Sequence, residues 1–237
     1  MPIINYAHRG ASKYYPENTL RAFYAGLEMR ADGIETDIRR TADGVLVLHH
    51  DNTLKRITGQ EDSISDYTYA QLLKMDFGAF KGERFAGERI VTLDTFLHHF
   101  GAMPLYLALE IKQSGVEEQT LECIRTCGCR DRVTVTSFEL DSLLAVRGLD
   151  ADIALGYLTE QITVETLDLL QEHRIGQICP RVDKTGAQDV ALARARGFSV
   201  RFWGVASEEL MRYALTLDSD GMTIDFPDKL TDALAAM

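Results

Sequence analysis

The chain of 237 residues is poor in several residue types that mark specialised protein classes. It contains only 5 prolines, 4 cysteines and 1 tryptophan, with 46% hydrophobic and 26% charged residues. This composition excludes collagen-like, disordered and coiled-coil proteins. No apolar run is long enough for a membrane-spanning helix, and the cysteines match no zinc-binding spacing. The composition therefore indicates a soluble globular protein with reduced thiols.

Positive charge is also scarce, because 25 lysines and arginines face 36 acidic residues and give a net charge of −11. Such a charge disfavours nucleic acid and anionic lipid, so we expect neither a nucleic-acid partner nor stable membrane insertion. An anionic small-molecule substrate would need local positive charge from a metal, arginine or lysine. Residues 1–6 lack the basic and apolar segments of a secretion signal, so the expected location is the cytoplasm. No pattern indicates an oligomeric state.

Short apolar segments typical of strands alternate with amphipathic segments typical of helices. The strand-like segments lie at 3–7, 33–38, 45–49, 105–111, 132–136, 152–157, 175–179, 198–203 and 221–225. The helix-like segments lie at 18–31, 116–127, 139–147, 163–173, 186–196, 207–215 and 227–236. Repeated βα units form a parallel sheet, and eight units close a barrel. The pattern predicts an α/β fold, a (β/α)8 TIM barrel, in a single domain over 1–237.

Two segments depart from the βα repeat. Asp43-Gly44 separates two strand-like segments, which predicts a hairpin and makes 45–49 an antiparallel partner of the second strand. Residues 52–90 fit no βα unit, and Tyr67–Met75 is their only regular stretch. A long insertion beside a strand end is more often functional than filler. We therefore predict a small cap-like insertion at about 52–90, with a variable surface loop as the alternative.

Polar residues stand at the ends of the predicted strands, where the active site of a parallel barrel lies. They are His8, Arg9, Glu35, Asp37, His49, His50, Glu110 and Lys112. Side chains alternate along a strand, so Glu35 and Asp37 share one face, and Glu110 and Lys112 point into the barrel. Three close carboxylates repel one another unless a cation lies among them. Oxygen ligands of this kind suit Mg²⁺ or Ca²⁺.

The hairpin loop determines which of two adjacent histidines faces the carboxylates. A two-residue loop at Asp43-Gly44 pairs Asp37 with His50, whereas a three-residue loop pairs Asp37 with His49. Two-residue loops are the best match to an Asp-Gly pair. We therefore predict the two-residue loop and, with it, that His50 faces the carboxylates.

The motifs, taken in order, resemble the glycerophosphodiester phosphodiesterase family. The most specific are His8-Arg9-Gly10, Pro16-Glu17-Asn18-Thr19, Glu35-Thr36-Asp37 and His50-Asp51, and further matches continue to Pro227. The resemblance implies a (β/α)8 barrel with a small insertion after the second strand. It also implies hydrolysis of glycerophosphodiesters to glycerol 3-phosphate and an alcohol.

The resemblance further implies roles for individual residues. The divalent-metal ligands are Glu35, Asp37 and Glu110, the general acid and base are His8 and His50, and the phosphate-contacting cations are Arg9 and Lys112. Trp203 supplies an apolar wall for the glycerol backbone, and Phe138 is either a second wall or a core residue. Many relatives carry Trp-Thr-Val-Asn where this chain has Trp203-Gly204-Val205-Ala206, so a polar contact to the substrate is missing here.

Other interpretations of the same residues stay open. A lysophospholipase D-like enzyme or another phosphodiesterase would keep the site and change the substrate. A glycosidase would use paired carboxylates, but it leaves His8 and His50 unexplained. A barrel kept as a non-catalytic binding module predicts the loss of rim residues, and all of them are present.

Glu17 and Asn18 lie just before the first predicted helix. Asn18 is a candidate N-cap, because its side chain accepts hydrogen bonds from free helix N–H groups. Glu17 is a candidate for orienting a residue at the barrel rim.

Overall fold

The computed structural model describes residues 3–237. Its strands are β1 (Ile4–His8), β2 (Gly33–Arg40), β3 (Leu46–Leu48), β4 (Tyr106–Ile111), β5 (Val133–Ser137), β6 (Ala154–Thr159), β7 (Gln177–Pro180), β8 (Ser199–Val205) and β9 (Gly221–Ile224). Its helices are α1 (Leu20–Glu28), α2 (Lys55–Thr58), α3 (Tyr69–Leu72), α4 (Leu93–Phe100), α5 (Glu117–Cys127), α6 (Leu140–Leu149), α7 (Val164–Glu172), α8 (Ala187–Ala195), α9 (Glu208–Leu215) and α10 (Pro227–Ala235). Over this range no helix is long and apolar enough to cross a bilayer.

Eight parallel strands close into a barrel, because β1 pairs with β9 on one side and with β2 on the other. The ninth strand, β3, lies antiparallel on the outer edge of β2. Alternate residues of the strands pack outward against the helices, as Ile34 and Ile38 of β2 and Leu107 and Leu109 of β4 do in the main hydrophobic core. The intervening residues point inward. The predicted TIM barrel is confirmed.

The hairpin between β2 and β3 differs from the prediction by one residue. Ile38 pairs with Leu48, and the loop spans the three residues 42–44. The backbone N–H of His49 therefore donates to the carbonyl oxygen of Asp37 at 3.0 Å. The predicted two-residue loop was wrong, and His49 is the residue opposite Asp37.

Side-chain hydrogen bonds explain the wider loop. The Thr41 hydroxyl donates to Asp43 at 2.6 Å and accepts from the backbone N–H of Val45 at 2.9 Å. Asp43 also accepts from the backbone N–H of Tyr69, in the insertion, at 2.9 Å. The Asp-Gly pattern alone does not include these contacts, which hold the aspartate inside a three-residue loop.

The insertion after β3 builds a small core of its own. Its buried side chains include Leu54, Ile57, Ile64, Leu72 and Phe77, and they pack beside the main core. The regular pieces are α2, α3 and three single 3₁₀ turns, so the predicted stretch 67–75 contains the short helix α3 but is not the only regular part of the insertion. Short pieces suffice here because burial of the apolar residues, rather than helix length, stabilises the segment.

Candidate active site

Three carboxylates meet inside the barrel at the carboxyl ends of β2 and β4. Glu35 and Asp37 lie two residues apart on β2, and Asp37 is in register with Glu110 of β4. One ligand oxygen from each lies within 4.8 Å of the others, and all three residues are buried. Oε2 of Glu35 and Oδ1 of Asp37 are buried without a hydrogen-bond partner. Buried oxygens of this kind require a partner, and a cation fits the three carboxylates.

The three carboxyl groups differ in their tendency to hold a proton. Burial, reinforced by the charge of Asp37, raises the pKa of Glu35 to about 7. The same two effects raise the pKa of Glu110. Burial also disfavours ionised Asp37, but the positive charges led by Arg9 outweigh it and hold the pKa of Asp37 well below its usual range. Asp37 is thus the member of the cluster that most readily stays ionised.

A tight turn after β1 brings Arg9 to this cluster. Arg9 and Gly10 both have positive φ values, 57° and 84°. A Cβ at Gly10 would lie 2.4 Å from the carbonyl carbon of Ala22, so only glycine fits against α1. In this conformation Nε of Arg9 lies 3.1 Å from Oδ2 of Asp37, and the same guanidinium donates to Glu17 at 2.9 Å.

His8, the last residue of β1, lies between two carboxylates. Its Nδ1 donates to Oδ1 of Asp225 at 2.5 Å, and its Nε2 is 3.8 Å from Oε2 of Glu35. Burial and the charge of Arg9 favour the neutral ring, but the hydrogen bond to Asp225 and the charge of Glu35 prevail and raise the pKa of His8. The first strand reaches Asp225 only because the barrel closes through β9.

His50 has an arrangement that matches that of His8. Its Nδ1 donates to Oδ1 of Asp51 at 2.7 Å. Nζ of Lys112 approaches its Nε2 at 3.3 Å and donates to Glu110 at 2.9 Å. Burial lowers the pKa of His50. Both histidines thus present Nε2 to the cavity and Nδ1 to a carboxylate.

His49 points elsewhere although it stands opposite Asp37 in the hairpin. Its Nε2 lies 3.1 Å from the carbonyl oxygen of Thr53, and its ring contacts Phe77 of the insertion edge to face at 6.2 Å. β3 ends at Leu48, so strict alternation stops before the two histidines. His50 therefore reaches the cavity for a reason other than the predicted register.

A charged network joins the insertion to the turn after β1, and it includes Glu17, the candidate for orienting a residue at the barrel rim. Arg56 of α2 donates twice to Glu17, at 2.5 and 2.9 Å, and once to Asp51 at 2.8 Å. Glu17 in turn accepts from Arg9. Arg56 stands five residues after His50-Asp51 in the sequence, but only the tertiary contacts show that it binds Glu17 and Asp51.

Asn18 does not cap the first helix, because the N-cap is Thr19, whose hydroxyl accepts from the backbone N–H of Ala22 at 3.2 Å. Asn18 is buried, with a φ of 56°, and donates to Oδ2 of Asp37 at 3.1 Å. Its side-chain oxygen accepts from Thr36 at 2.8 Å. The expectation of an Asn18 cap was wrong, and this side chain instead orients Asp37.

Two aromatic side chains form one wall of a cavity of about 380 Å³ above the carboxylates. Phe138 and Trp203 contact each other edge to face at 5.1 Å, and Nζ of Lys112 lies 5.6 Å from the Phe138 ring centre. The indole N–H of Trp203 donates to the carbonyl oxygen of Thr159 at 3.0 Å. Phe138 is 37% exposed, so it lines the cavity instead of packing in the core. The same cavity is lined by His8, Arg9, Glu35, His50, Glu110 and Lys112.

The chain is similar to known proteins over nearly its whole length. The model of the glycerophosphoryl diester phosphodiesterase family matches residues 8–229. A glycerophosphodiester phosphodiesterase of Caldanaerobacter subterraneus is 33% identical over 229 residues, which cover 94% of each chain. A phosphodiesterase of Oleispira antarctica, solved in complex with the product sn-glycerol-3-phosphate, is 26% identical with a TM-score of 0.88 and covers 99% of this chain and 97% of its own.

A glycerophosphodiester phosphodiesterase of Agrobacterium tumefaciens shares the fold, with a TM-score of 0.87 at 24% identity, covering 98% of this chain and 100% of its own. The family match extends over nearly the whole barrel and includes the cavity with its carboxylates and histidines. The chain belongs to the glycerophosphoryl diester phosphodiesterase family, a family of phosphoric diester hydrolases.

Proposed function

We propose that the protein hydrolyses glycerophosphodiesters to glycerol 3-phosphate and an alcohol, in a metal-dependent reaction with histidine acid–base catalysis. The observation that carries the proposal is the buried triad of Glu35, Asp37 and Glu110, in which Oε2 of Glu35 and Oδ1 of Asp37 have no hydrogen-bond partner. Two histidines lie beside this triad, and each is hydrogen-bonded to a carboxylate. The Oleispira antarctica relative with bound sn-glycerol-3-phosphate supports the product.

Glu35, Asp37 and Glu110 would hold the ion. All three offer oxygen ligands, which suit Mg²⁺ or Ca²⁺ better than zinc or copper. A bound divalent cation supplies positive charge that stabilises the negative charge developing on the phosphoryl oxygens. Asn18 and Arg9 fix Asp37 in place through its Oδ2, which leaves Oδ1 free for a ligand.

His8 and His50 would move the protons. Asp225 and Asp51 accept from the two Nδ1 atoms, so each ring keeps its proton there and presents Nε2 to the substrate. One imidazole takes the proton of the attacking oxygen, and the other gives a proton to the departing alkoxide. Acid–base catalysis of this kind contributes about 10²–10⁴ in rate.

Arg9 and Lys112 would contact the phosphate, since both cations border the cavity beside the carboxylates. Donors aimed at the phosphoryl oxygens stabilise the charge that grows during attack. Trp203 and Phe138 offer an apolar wall for the glycerol backbone. The substrate is thus held between a polar face that reacts and an apolar face that orients it.

The insertion at 52–90 acts, in this proposal, as a cap within the same domain as the barrel, because Arg56 binds Glu17 and so joins the insertion to the turn that carries Arg9.

The proposed location is the cytoplasm. The four cysteines are free thiols, which suits this reducing compartment.

The test is turnover of purified protein on glycerophosphocholine, glycerophosphoethanolamine and lysophosphatidylcholine, after chelation and with added Mg²⁺ or Ca²⁺. We expect glycerol 3-phosphate from the first two substrates only in the presence of a divalent ion. E110Q should lose activity by about 10²-fold or more, while E118Q, an exposed carboxylate on α5, keeps it. Activity that survives both chelation and E110Q would contradict metal dependence, and choline release from lysophosphatidylcholine alone would favour a lysophospholipase D.

A further inference from the structure

A second cavity of about 340 Å³ opens beside the first, at the turn after β1. The two cavities share His8, Arg9, Ala206 and Asp225 in their linings. The second cavity adds Ser12, Lys13, Lys81 and Phe226, so the insertion and the turn after β1 supply its outer wall. A molecule whose phosphate lies at His8 and Arg9 can therefore extend one arm into each cavity.

Two lysine ammonium groups at the second cavity have no carboxylate partner. Nζ of Lys81 donates to the carbonyl oxygen of Ser12 at 2.6 Å, and Nζ of Lys13 lies 4.7 Å from the ring centre of Phe226. No ion pair within 4.0 Å joins either ammonium to another part of the described chain. Each group is held at the cavity and keeps N–H donors for a ligand, since an ammonium has three.

The carboxylates in this lining are already engaged. Glu17 accepts from Arg9 and Arg56, and Asp225 accepts from His8 at 2.5 Å and from Ser12 at 3.0 Å. The two lysines therefore leave the cavity with unbalanced positive charge. In a chain whose net charge is −11, such a local excess of positive charge points to an anionic ligand.

The residues that line the two cavities favour one arm of a diester in each. Ala206, whose side chain is only a methyl group, lies where the two cavities meet. The glycerol arm fits the cavity walled by Trp203 and Phe138, beside the carboxylates. The other alcohol then extends towards Lys13 and Lys81.

We propose that the second cavity is a headgroup subsite that selects leaving alcohols bearing a negative charge of their own, a phosphate monoester or a carboxylate, through Lys13 and Lys81. This inference rests on the proposed function and names its preferred substrate class. Complementary charge at such a subsite lowers KM and speeds association, and salt screens both effects.

The experiment compares two substrates that differ by one group, glycerophosphoglycerol and the same diester with a phosphate on its far hydroxyl. The readout is the ratio of kcat/KM for the phosphorylated over the unmodified substrate. We expect a ratio above one in the native protein, a fall of about tenfold in the double variant K13Q/K81Q, and an unchanged ratio in K74Q. Lys74 is an exposed lysine of the insertion that lines neither cavity.

The outcomes separate the two proposals. A ratio at or below one in the native protein overturns the headgroup subsite, and so does a ratio that is the same in K13Q/K81Q as in the native protein. In both cases hydrolysis of glycerophosphoglycerol still supports the proposed function. Failure to hydrolyse either substrate with Mg²⁺ or Ca²⁺ overturns the proposed function and the subsite with it. A third substrate, glycerophosphoglycerate, shows whether a carboxylate gains the same advantage, and loss of the preference at high salt supports the charge-based mechanism.

Discussion

Asp225, directly after the last strand of the barrel, accepts a hydrogen bond from Nδ1 of His8, at the end of the first strand, at 2.5 Å. The two residues are 217 positions apart in the chain, and only closure of the barrel between β1 and β9 joins them. The contact fixes the ring of His8 so that Nε2 faces the cavity, and it raises the pKa of His8 against the opposing effect of burial.

Replacement of Asp225 by asparagine should therefore impair His8 specifically. We expect kcat to fall roughly 10²-fold, within the range for loss of an acid–base group. The limb of the pH–rate profile that reports His8 should also shift to lower pH, because the carboxylate that raises its pKa is gone. Steady-state kinetics from pH 5 to 9 measures both. D228N, which affects a carboxylate bound to Tyr14 outside both cavities, is the matched control, and equal profiles for D225N and D228N would contradict the role of Asp225.

The adjacent histidines His49 and His50 should respond differently to the same substitution. H50Q removes the imidazole that faces the cavity, and we expect a loss of about 10²–10⁴ in kcat. H49Q removes a buried ring that contacts Thr53 and Phe77, so it should lower thermal stability and keep most of the turnover per folded molecule. Kinetics together with thermal unfolding tests the pair. A larger kinetic loss in H49Q than in H50Q would show that the histidine roles are reversed.

Metal binding should depend on pH through Glu35. Burial and the charge of Asp37 raise the pKa of Glu35 to about 7 in the metal-free protein, so a proton occupies this ligand below that pH. The ion must displace this proton, and apparent affinity should fall about tenfold per pH unit below 7 and level off above it. Calorimetric titration of chelator-treated protein with Mg²⁺ or Ca²⁺, in buffers of different ionisation enthalpy, measures the affinity and the released proton. Affinity that is constant from pH 5.5 to 8 would contradict this prediction.

Arg56 should act as a positioning residue between the insertion and the catalytic cavity. R56Q removes the bonds to Glu17 and Asp51, which support Arg9 and His50, and we expect kcat/KM to fall about tenfold. Lys55, its neighbour on α2, pairs with Glu61 in solvent, so K55Q provides a control with the same charge change. A fall in kcat with little change in KM would indicate misplaced catalytic groups, and equal activity in R56Q and K55Q would show that the network has no catalytic role.

Asp150 should stabilise the far end of the barrel. It accepts from Arg130 at 2.6 and 3.0 Å and from two backbone N–H groups, and the hydrogen bond to Arg130 leads the effects that lower its pKa. D150N should reduce the free energy of unfolding by about 1–3 kcal/mol at pH 7. A lowered pKa gives stability that is present above the unfolded value of about 3.9 and lost as pH falls through the folded value. Urea unfolding should therefore show a large difference between the two proteins at pH 7 and a smaller one at pH 3, and an equal difference at both would contradict the ionic origin.

The barrel and its carboxylates follow from local pattern. The alternation of apolar and amphipathic segments predicts the order of strands and helices, and two-residue periodicity places Glu35 and Asp37 on one face of β2. Parallel neighbours then bring Glu110 beside Asp37. These features depend on the repeating backbone geometry of helices and strands, which produces a repeating pattern of residue types in the sequence.

The predictions that were wrong, the hairpin loop and the Asn18 cap, depended on side-chain hydrogen bonds that follow no repeating sequence pattern. The Asp43 carboxylate binds Thr41 and the insertion, which changes the hairpin register that Asp-Gly suggested. Asn18 takes a left-handed conformation and binds Asp37, while Thr19 caps the helix. Asp43 thus adds a bond to a distant residue to its local one, and Asn18 bonds to strand β2 instead of capping the helix.

The sequence by itself determined the eightfold βα order, the excess of negative charge and the strand-end carboxylates and histidines, because composition and periodicity are local properties of the chain. Only the tertiary structure decided that His8 meets Asp225, that Arg56 reaches Glu17, and that His50 faces the cavity while His49 does not. These contacts join residues through barrel closure, packing of the insertion and the point where β3 ends. These contacts stabilise the site through groups that only folding brings together, and no periodic pattern along the chain predicts such pairs.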